Sequence, residues 1–322
     1  MAPPEVPLLD ARPPWVVVIN AASGRQEGEA IAQLIRDALS QAGCQSSIRL
    51  VSHAEEISVI AEQAARQARE RRGVLVGVGG DGTLSAVAAA AIRAGAVFSA
   101  VPGGTFNYFG RSHGFPEEPE AAIQAVLHGR LRAVQVGQIN GRIFLVNASF
   151  GLYPQLLEDR EAFKQQWGRS RPAAWGAALL TLCGRHRLHR LHLQMGEQEQ
   201  VMLASTVFVG NNRLQFEHMG LPEASVVDEG RLLGLVLRPV GRLGLVRLAL
   251  QGAMGRLADA DEIERRVFRR LSVAPGGWWR RRTVKVAMDG EQHRMRSPLV
   301  FDVSPRPLWL LAPAGPAAEP RP

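Results

Sequence analysis

Lysine is nearly absent from this chain. Of 38 basic residues only Lys164 and Lys285 are lysines, and neither lies in a glycine-rich loop. A Walker A phosphate loop, which sets a lysine beside the phosphates, is therefore excluded. Cysteine is as scarce: Cys44 and Cys183 are too few for a disulfide framework or a zinc ribbon, and suit a reducing compartment. No uninterrupted apolar stretch reaches about 18 residues, so no spanning helix is expected. The opening MAPPEVPLLDARPP has no basic segment leading into an apolar one, and does not read as a signal peptide. Glycine and proline are plentiful but lack the period of collagen.

What remains is a globular composition. The 322 residues are 46% apolar, enough for about two domains with a substantial core. The net charge is +8, carried by arginines scattered along the whole sequence. A clustered arginine face, which nucleic-acid binding needs, is not evident, and nucleic acid is not an expected partner.

The first part of the chain alternates strand and helix patterns. Buried β-branched runs at Trp15–Asn20, Val74–Val78 and Val97–Val101, with a strand near Ser47–Val51, are separated by helical spacings at Ala30–Leu39, Ala54–Arg72 and Leu84–Arg93. That alternation predicts βαβ units and a mostly parallel sheet, closed by a helix over Pro119–His128. Beyond residue 130 the rhythm changes. Strands are expected at Arg132–Val136, Arg142–Ala148, Arg190–Met195, Val201–Val209, Leu232–Leu237, Val267–Val273, Thr283–Met288 and Leu299–Val303. Helical regions at Leu156–Cys183 and Leu243–Arg256 interrupt them. In the latter, Leu243, Val246, Leu250, Met254 and Leu257 fall on nearly one face, which suits either covering the β-rich core or edging an acyl-chain groove, with core packing preferred. A last short strand is expected at Trp309–Leu311.

Three loops follow the strands of the first part. Val78-Gly79-Gly80-Asp81-Gly82-Thr83 runs from a strand into a helix. Its glycines permit close backbone approach to a ligand, Thr83 can cap the helix, and the first amides face an anion. Asp81 beside a phosphate makes sense through a Mg²⁺ or by orienting a hydroxyl. A plain βα turn with an acidic cap is the alternative. Val101-Pro102-Gly103-Gly104-Thr105-Phe106-Asn107 repeats the pattern, and Asn20-Ala21-Ala22-Ser23-Gly24-Arg25 adds a hydroxyl, a glycine and an arginine. Three such loops on one sheet edge favour a polyphosphate site.

GGDGT followed some 20 residues later by PGGTFNYFGR resembles the diacylglycerol kinase catalytic domain family, which includes bacterial lipid kinases and the sphingosine and ceramide kinases. NAD kinases share the first motif but not the second. The resemblance spans about Trp15 to Leu311. It implies an NAD-kinase-like α/β domain (15–130 plus about 304–312), a β-rich acceptor domain (131–303) with inserted helices, flexible ends at 1–14 and 313–322, and a nucleotide between the domains. It also implies that Val286-Ala287-Met288-Asp289-Gly290-Glu291 matches the family's DGE element, with Asp289 as general base and Glu291 in support. A bare Asp-Gly hairpin turn is the bland reading of those residues.

On the same resemblance, the cofactors are ATP and Mg²⁺. Asn20, Ser23, Gly24, Arg25, Gly79, Gly80, Asp81, Gly82, Thr83, Gly103, Gly104, Thr105 and Asn107 would hold the nucleotide. Asp81 would act on the catalytic Mg²⁺ indirectly. Ala224–Leu232 resembles a family segment that binds a structural Mg²⁺, here through Glu229 and the carbonyls of Val226 and Arg231; Glu229 stands where Asp is usual. Phe208-Val209-Gly210-Asn211 resembles a cleft element. Ser85-Ala86 stands where many members carry Asn-Glu, which supports the alternative of a nucleotide-binding regulatory protein. The other alternative is a soluble-acceptor kinase such as NAD kinase. The expected partner is a lipid presented at a membrane surface, with a cytoplasmic location at the inner face and a homodimer as a compatible assembly. Trp278-Trp279-Arg280-Arg281-Arg282 is a candidate surface-contact patch. His186, His189 and His192 run into an alternating strand and read as solvated rather than as metal ligands.

Overall fold

The computed structural model describes residues 6–22, 24–151, 188–276 and 283–314. Two compact units divide the chain: Met1–Val136 with Ser304–Pro322, and Gly137–Val303. The Leu156–Cys183 region, His186 and the Trp278–Arg282 patch lie outside the described residues.

The first unit runs β1 (Trp15–Asn20), α1 (Arg25–Gln41), β2 (Ser46–Val51), α2 (Ile57–Glu70), β3 (Val74–Gly79), α3 (Asp81–Ala94), β4 (Val97–Pro102), α4 (Tyr108–Ser112), α5 (Pro119–Leu127) and β5 (Arg130–Val134). Its sheet has the order β2-β1-β3-β4, then the strand Leu308–Ala312 from far along the chain, then β5. All neighbours are parallel except the last pair. Helix α1 packs with α5, and α2 with α3, against this sheet. Such cover explains why β1 and β3 are β-branched without alternation: Trp15, Val16, Val17, Val18 and Ile19 are all buried. Each fully buried Val or Ile contributes about 1.5–3 kcal/mol.

The second unit contains β6 (Gly137–Ile139), β7 (Arg142–Phe144), β8 (Asn147–Gly151), β9 (His189–Met195), β10 (Gln198–Ala204), β11 (Thr206–Gly210), α6 (Arg213–His218), β12 (Leu232–Leu237), α7 (Arg242–Ala253), β13 (Ile263–Phe268), β14 (Arg270–Pro275), β15 (Thr283–Met288), β16 (Glu291–Arg296) and β17 (Leu299–Val303). The strand Leu308–Ala312, β18, then returns to the first unit. Two antiparallel sheets, β10-β9-β14-β17-β6-β7 and β13-β12-β11-β8-β15-β16, share one core. Phe144, Leu191 and Phe301 from the first sheet meet Phe150, Val236 and Val286 from the second. The fold class is therefore the one expected: a mostly parallel α/β unit and a β-rich unit with inserted helices.

Three strands read as continuous are in fact corners. Arg142–Ala148 splits into β7 and β8, Val201–Val209 into β10 and β11, and Val267–Val273 into β13 and β14. In each case the two halves belong to different sheets. At one break, Ser205 N–H turns to the carbonyl of Leu237 at 2.8 Å. An apolar run carries on unbroken through such a corner, so sequence periodicity does not register it.

The apolar stripe of α7 is core in part only: Leu257 packs against the cluster around Phe208 and Phe216, and Val246 is half-buried. Leu245 is buried against Leu237 and Val240, and Leu248 is also buried. Leu243, Leu250 and Met254 are exposed.

Candidate active site

Parallel strands β1, β3 and β4 lie side by side, so the loops after them emerge on one sheet edge. Asn20 ends β1 and its Nδ2 donates to Thr83 Oγ1 at 2.8 Å. Its Oδ1 accepts from the amide of Ala22 at 3.0 Å. Thr83 was expected to cap the following helix. Instead Gly80 is the N-cap and α3 already begins at Asp81, which leaves Thr83 buried in the first turn.

The two glycine loops touch each other through their backbones. Gly103 N–H donates to the carbonyl of Gly79 at 2.9 Å. Gly79 has φ +150°, and a Cβ there would lie 3.0 Å from the Thr83 side chain. A Cβ on Gly104 would come within 2.7 Å of Gly80 Cα. Both positions need glycine for steric reasons independent of any ligand. Gly103, Gly104, Thr105 and Phe106 are exposed at the apex. Asn107, with φ +49°, braces them by accepting from Gly104 N–H at 2.8 Å and donating to its carbonyl at 3.0 Å.

Asp81 ties this second loop to the first. Its Oδ2 accepts from the amide of Tyr108 at 3.1 Å and its Oδ1 from that of Phe109 at 3.0 Å. Burial pushes its carboxyl above the ordinary value, and the two amides partly offset that. Behind the loop His113 meets the Phe109 ring edge-on, with centroids 4.6 Å apart. Arg132 donates to the carbonyl of His113 at 3.1 Å. Burial, with Arg132 nearby, pulls the imidazole down to about 3, although part of the residue reaches the surface. In the third loop Gly24 is the N-cap of α1, Arg25 forms an exposed ion pair with Glu29, and Ser23 lies outside the described residues.

In the second unit, Asp289 directly follows β15 and lies in the left-handed region, with φ +46°. Its carboxylate accepts three backbone amides from the β7–β8 corner: Leu145 at 2.7 Å, Val146 at 2.8 Å and Asn147 at 2.9 Å. Its own N–H donates to the Asn147 carbonyl at 2.9 Å. Asn211 completes the corner, its N–H donating to the Val146 carbonyl at 2.8 Å and its Nδ2 to that of Leu145 at 3.2 Å. Asn147 Nδ2 reaches Gln215 Oε1 at 3.2 Å. Asn212 caps α6 by accepting from Gln215 N–H, and Phe216 packs so close to Gly210 that a Cβ there would sit 2.3 Å from its ring. Glu291, at the surface but hemmed in by neighbouring atoms, has its carboxyl pushed up by partial burial.

Sequence reasoning singled out Asp289 and Asn211 but missed Asn147 and Gln215. An isolated Asn or Gln carries no periodic signal, and only the corner brings these two together.

The segment proposed for a structural Mg²⁺ is laced with ion pairs. Glu229 pairs with Arg231, and Asp228 with Arg213 at 2.7 Å. The Val226 carbonyl accepts the amides of Glu229 and Arg231, each at 3.2 Å. Two guanidinium groups therefore lie beside its carboxylates. Among the described residues no group of three or more His, Cys, Asp or Glu side chains is arranged to hold a metal ion. His189 packs against Phe150, and His192 points to the opposite side of its strand.

Comparison with known proteins agrees with these motifs. The diacylglycerol kinase catalytic domain family matches residues 14–139. The YegS-like probable lipid kinase of Pseudomonas aeruginosa PAO1 is 30% identical over 311 residues, covering 92% of this chain and 95% of its own. The diacylglycerol kinase of Bacillus subtilis 168 is 30% identical over 147 residues, 44% of this chain and 47% of its own. The crystal structure of a diacylglycerol kinase from Bacillus anthracis Sterne superposes with a TM-score of 0.66 at 16% identity, covering 94% of this chain and 97% of that one. With glycine loops packed back to back on the sheet edge and a relative matched along nearly its whole length, the chain belongs to the diacylglycerol kinase catalytic domain family of lipid kinases.

Proposed function

We propose that the protein is an ATP-dependent lipid kinase, transferring the γ-phosphate of Mg-ATP to a hydroxyl of diacylglycerol or a related lipid at the cytoplasmic face of a membrane. The observation that carries this reading is the lysine-free cradle in which Gly104 approaches Gly80 too closely to carry a side chain. The exposed turn Gly103–Phe106 would hold phosphate oxygens through the amide and hydroxyl of Thr105, while the amides of Gly103 and Gly104, donated to Gly79 and Asn107, fix its shape together with Asp81. Phosphoryl transfer asks chiefly for charge placement and water exclusion, so a cradle of fixed dipoles suits it.

Mg²⁺, when bound, would neutralise charge across the β- and γ-phosphates. Each Asp81 oxygen accepts one amide, and a carboxylate offers about four lone-pair directions, so Asp81 fits a water of that ion's shell. Asn20 would orient Thr83 toward the nucleotide, and Ser23 with Arg25 would face its far side. Asp289 would accept the acceptor hydroxyl's proton as that oxygen bonds to the γ-phosphorus and the bond to the β-phosphate oxygen breaks, releasing ADP. Glu291 would support it. Among the described residues no helix is long and apolar enough to cross a membrane, so the lipid would be met at the surface.

Radiolabelled ATP offered with a panel of diacylglycerols, long-chain bases and NAD, with products identified by mass spectrometry, tests this. Label in a lipid phosphate supports the reading. Label in NADP, or nucleotide binding without any transfer, sinks it. Asp289→Asn with undiminished turnover would remove the base assignment alone.

A further inference from the structure

Helix α7 turns part of its apolar stripe away from the protein. Leu243 is 88% exposed, Leu250 52% and Met254 62%. At 100° per residue these three and Arg247 fall within an arc of about 60°, while Leu245 and Leu248 point to the other side and are buried. The core is thus supplied by one face and the stripe is left over. Scattered exposed leucines are ordinary, but three large apolar side chains aligned on a single helix face form a patch.

The charge around the stripe selects among occupants. Residues 238–256 include Arg238, Arg242, Arg247 and Arg256 and no aspartate or glutamate. Arg238 and Arg256 are used internally, paired with Glu264 and Asp259. Arg247 is exposed in the middle of the stripe and makes no ion pair among the described residues. A second copy docking here by two-fold symmetry would set Arg247 against its own twin with no acid to compensate. An anionic lipid surface matches both halves of the pattern: acyl chains for the leucines and methionine, headgroup charge for the arginine between them.

We propose that the Leu243–Arg247–Leu250–Met254 face of α7 is a docking surface for anionic membranes. The helix lies flat at headgroup depth and brings the second unit to the bilayer. This goes further than the lipid-kinase reading, which says what is phosphorylated but not which element meets the membrane.

The test is co-sedimentation of the full-length protein, without nucleotide, with phosphatidylcholine vesicles and with vesicles containing phosphatidylglycerol. Wild type should partition onto the anionic vesicles. Leu243→Gln/Leu250→Gln/Met254→Gln should lower that partitioning about tenfold or more, and Arg247→Glu about tenfold on anionic vesicles only. All four side chains are exposed, so melting temperatures should be unchanged. The proposal fails if wild type ignores anionic vesicles, if the triple variant binds like wild type, or if wild type self-associates and the triple variant is monomeric. Transfer to detergent-dispersed lipid separates the two readings. A triple variant that keeps micellar activity but loses vesicle binding upholds both. Vesicle binding as described with no transfer to any lipid leaves the docking face standing and removes the kinase reading.

Discussion

Asp81 holds the backbone of Tyr108 and Phe109, one carboxylate oxygen to each amide, so the first motif's acid is the buckle of the second motif's loop. A charged group accepting two amides contributes more than a neutral one. Asp81→Asn keeps the shape and leaves only one oxygen to accept. It should lower stability by about 1–2 kcal/mol and speed hydrogen exchange at Tyr108 and Phe109, measured without nucleotide. Unchanged exchange at both amides would mean that the buckle carries no strain, and that any activity loss belongs to the metal shell alone.

The two contacting glycines should respond unequally. A methyl at Gly104 would approach Gly80 Cα to 2.7 Å, whereas one at Gly80 would meet Gly104 Cα at 3.4 Å. Gly104→Ala should therefore cost about 1–3 kcal/mol by overpacking and weaken ATP binding, with Gly80→Ala clearly milder in both. Denaturant melts and nucleotide titrations of the pair decide it; equal effects would contradict the backbone contact.

His113 gives the first unit an acid sensitivity. Its imidazole is held down at about 3 in the fold, against 6.5 when unconstrained. The unfolded chain therefore binds the proton more readily than the folded one. The stability this group supports is intact above pH 6.5 and declines as the pH falls from there toward 3. His113→Phe should flatten that part of the stability profile while preserving the packing on Phe109. An equally steep profile in the variant would locate the sensitivity elsewhere.

Asp289 is as much a brace as a candidate base. Removing its carboxylate orphans the amides of Leu145, Val146 and Asn147 at a buried corner. Asp289→Ala should cost about 2–4 kcal/mol. Asp289→Asn tolerates the left-handed backbone and should cost less. Turnover measured alongside unfolding separates the two roles: a base effect persists in Asp289→Asn at temperatures where that variant is fully folded.

Much of the first unit was legible because burial on both faces writes itself as unbroken β-branched runs, as in Val16-Val17-Val18-Ile19. Its loops were legible because Gly79 and Gly104 answer steric needs that other residues do not meet. The second unit was legible as strands but not as a sandwich. Leu145-Val146, Ser205 and Arg269 are corners, and nothing in their residue types announces a change of sheet. The helix Arg213–His218 and the Asn147–Gln215 contact were hidden for the same reason, since both depend on pairings between distant segments. On α7 the apolar stripe is real, yet only its Leu257 end packs against a core cluster while Leu243, Leu250 and Met254 are exposed. Periodicity reports that a face exists and is silent about what covers it.

The placement of β18 carries a consequence for how the molecule is made. This strand sits between β4 and β5, with Ser99 Oγ donating to the Leu311 carbonyl at 2.6 Å. Its residues leave the ribosome only after the whole of Gly137–Val303. During synthesis the sheet of the first unit therefore waits as two pieces, β2-β1-β3-β4 and the lone β5, with an open seam of unpaired backbone beside β4. The sandwich, encoded second but contiguous, can close first. The seam is a window in which the nascent chain needs protection, and the first unit's sheet is finished only when the last strand arrives.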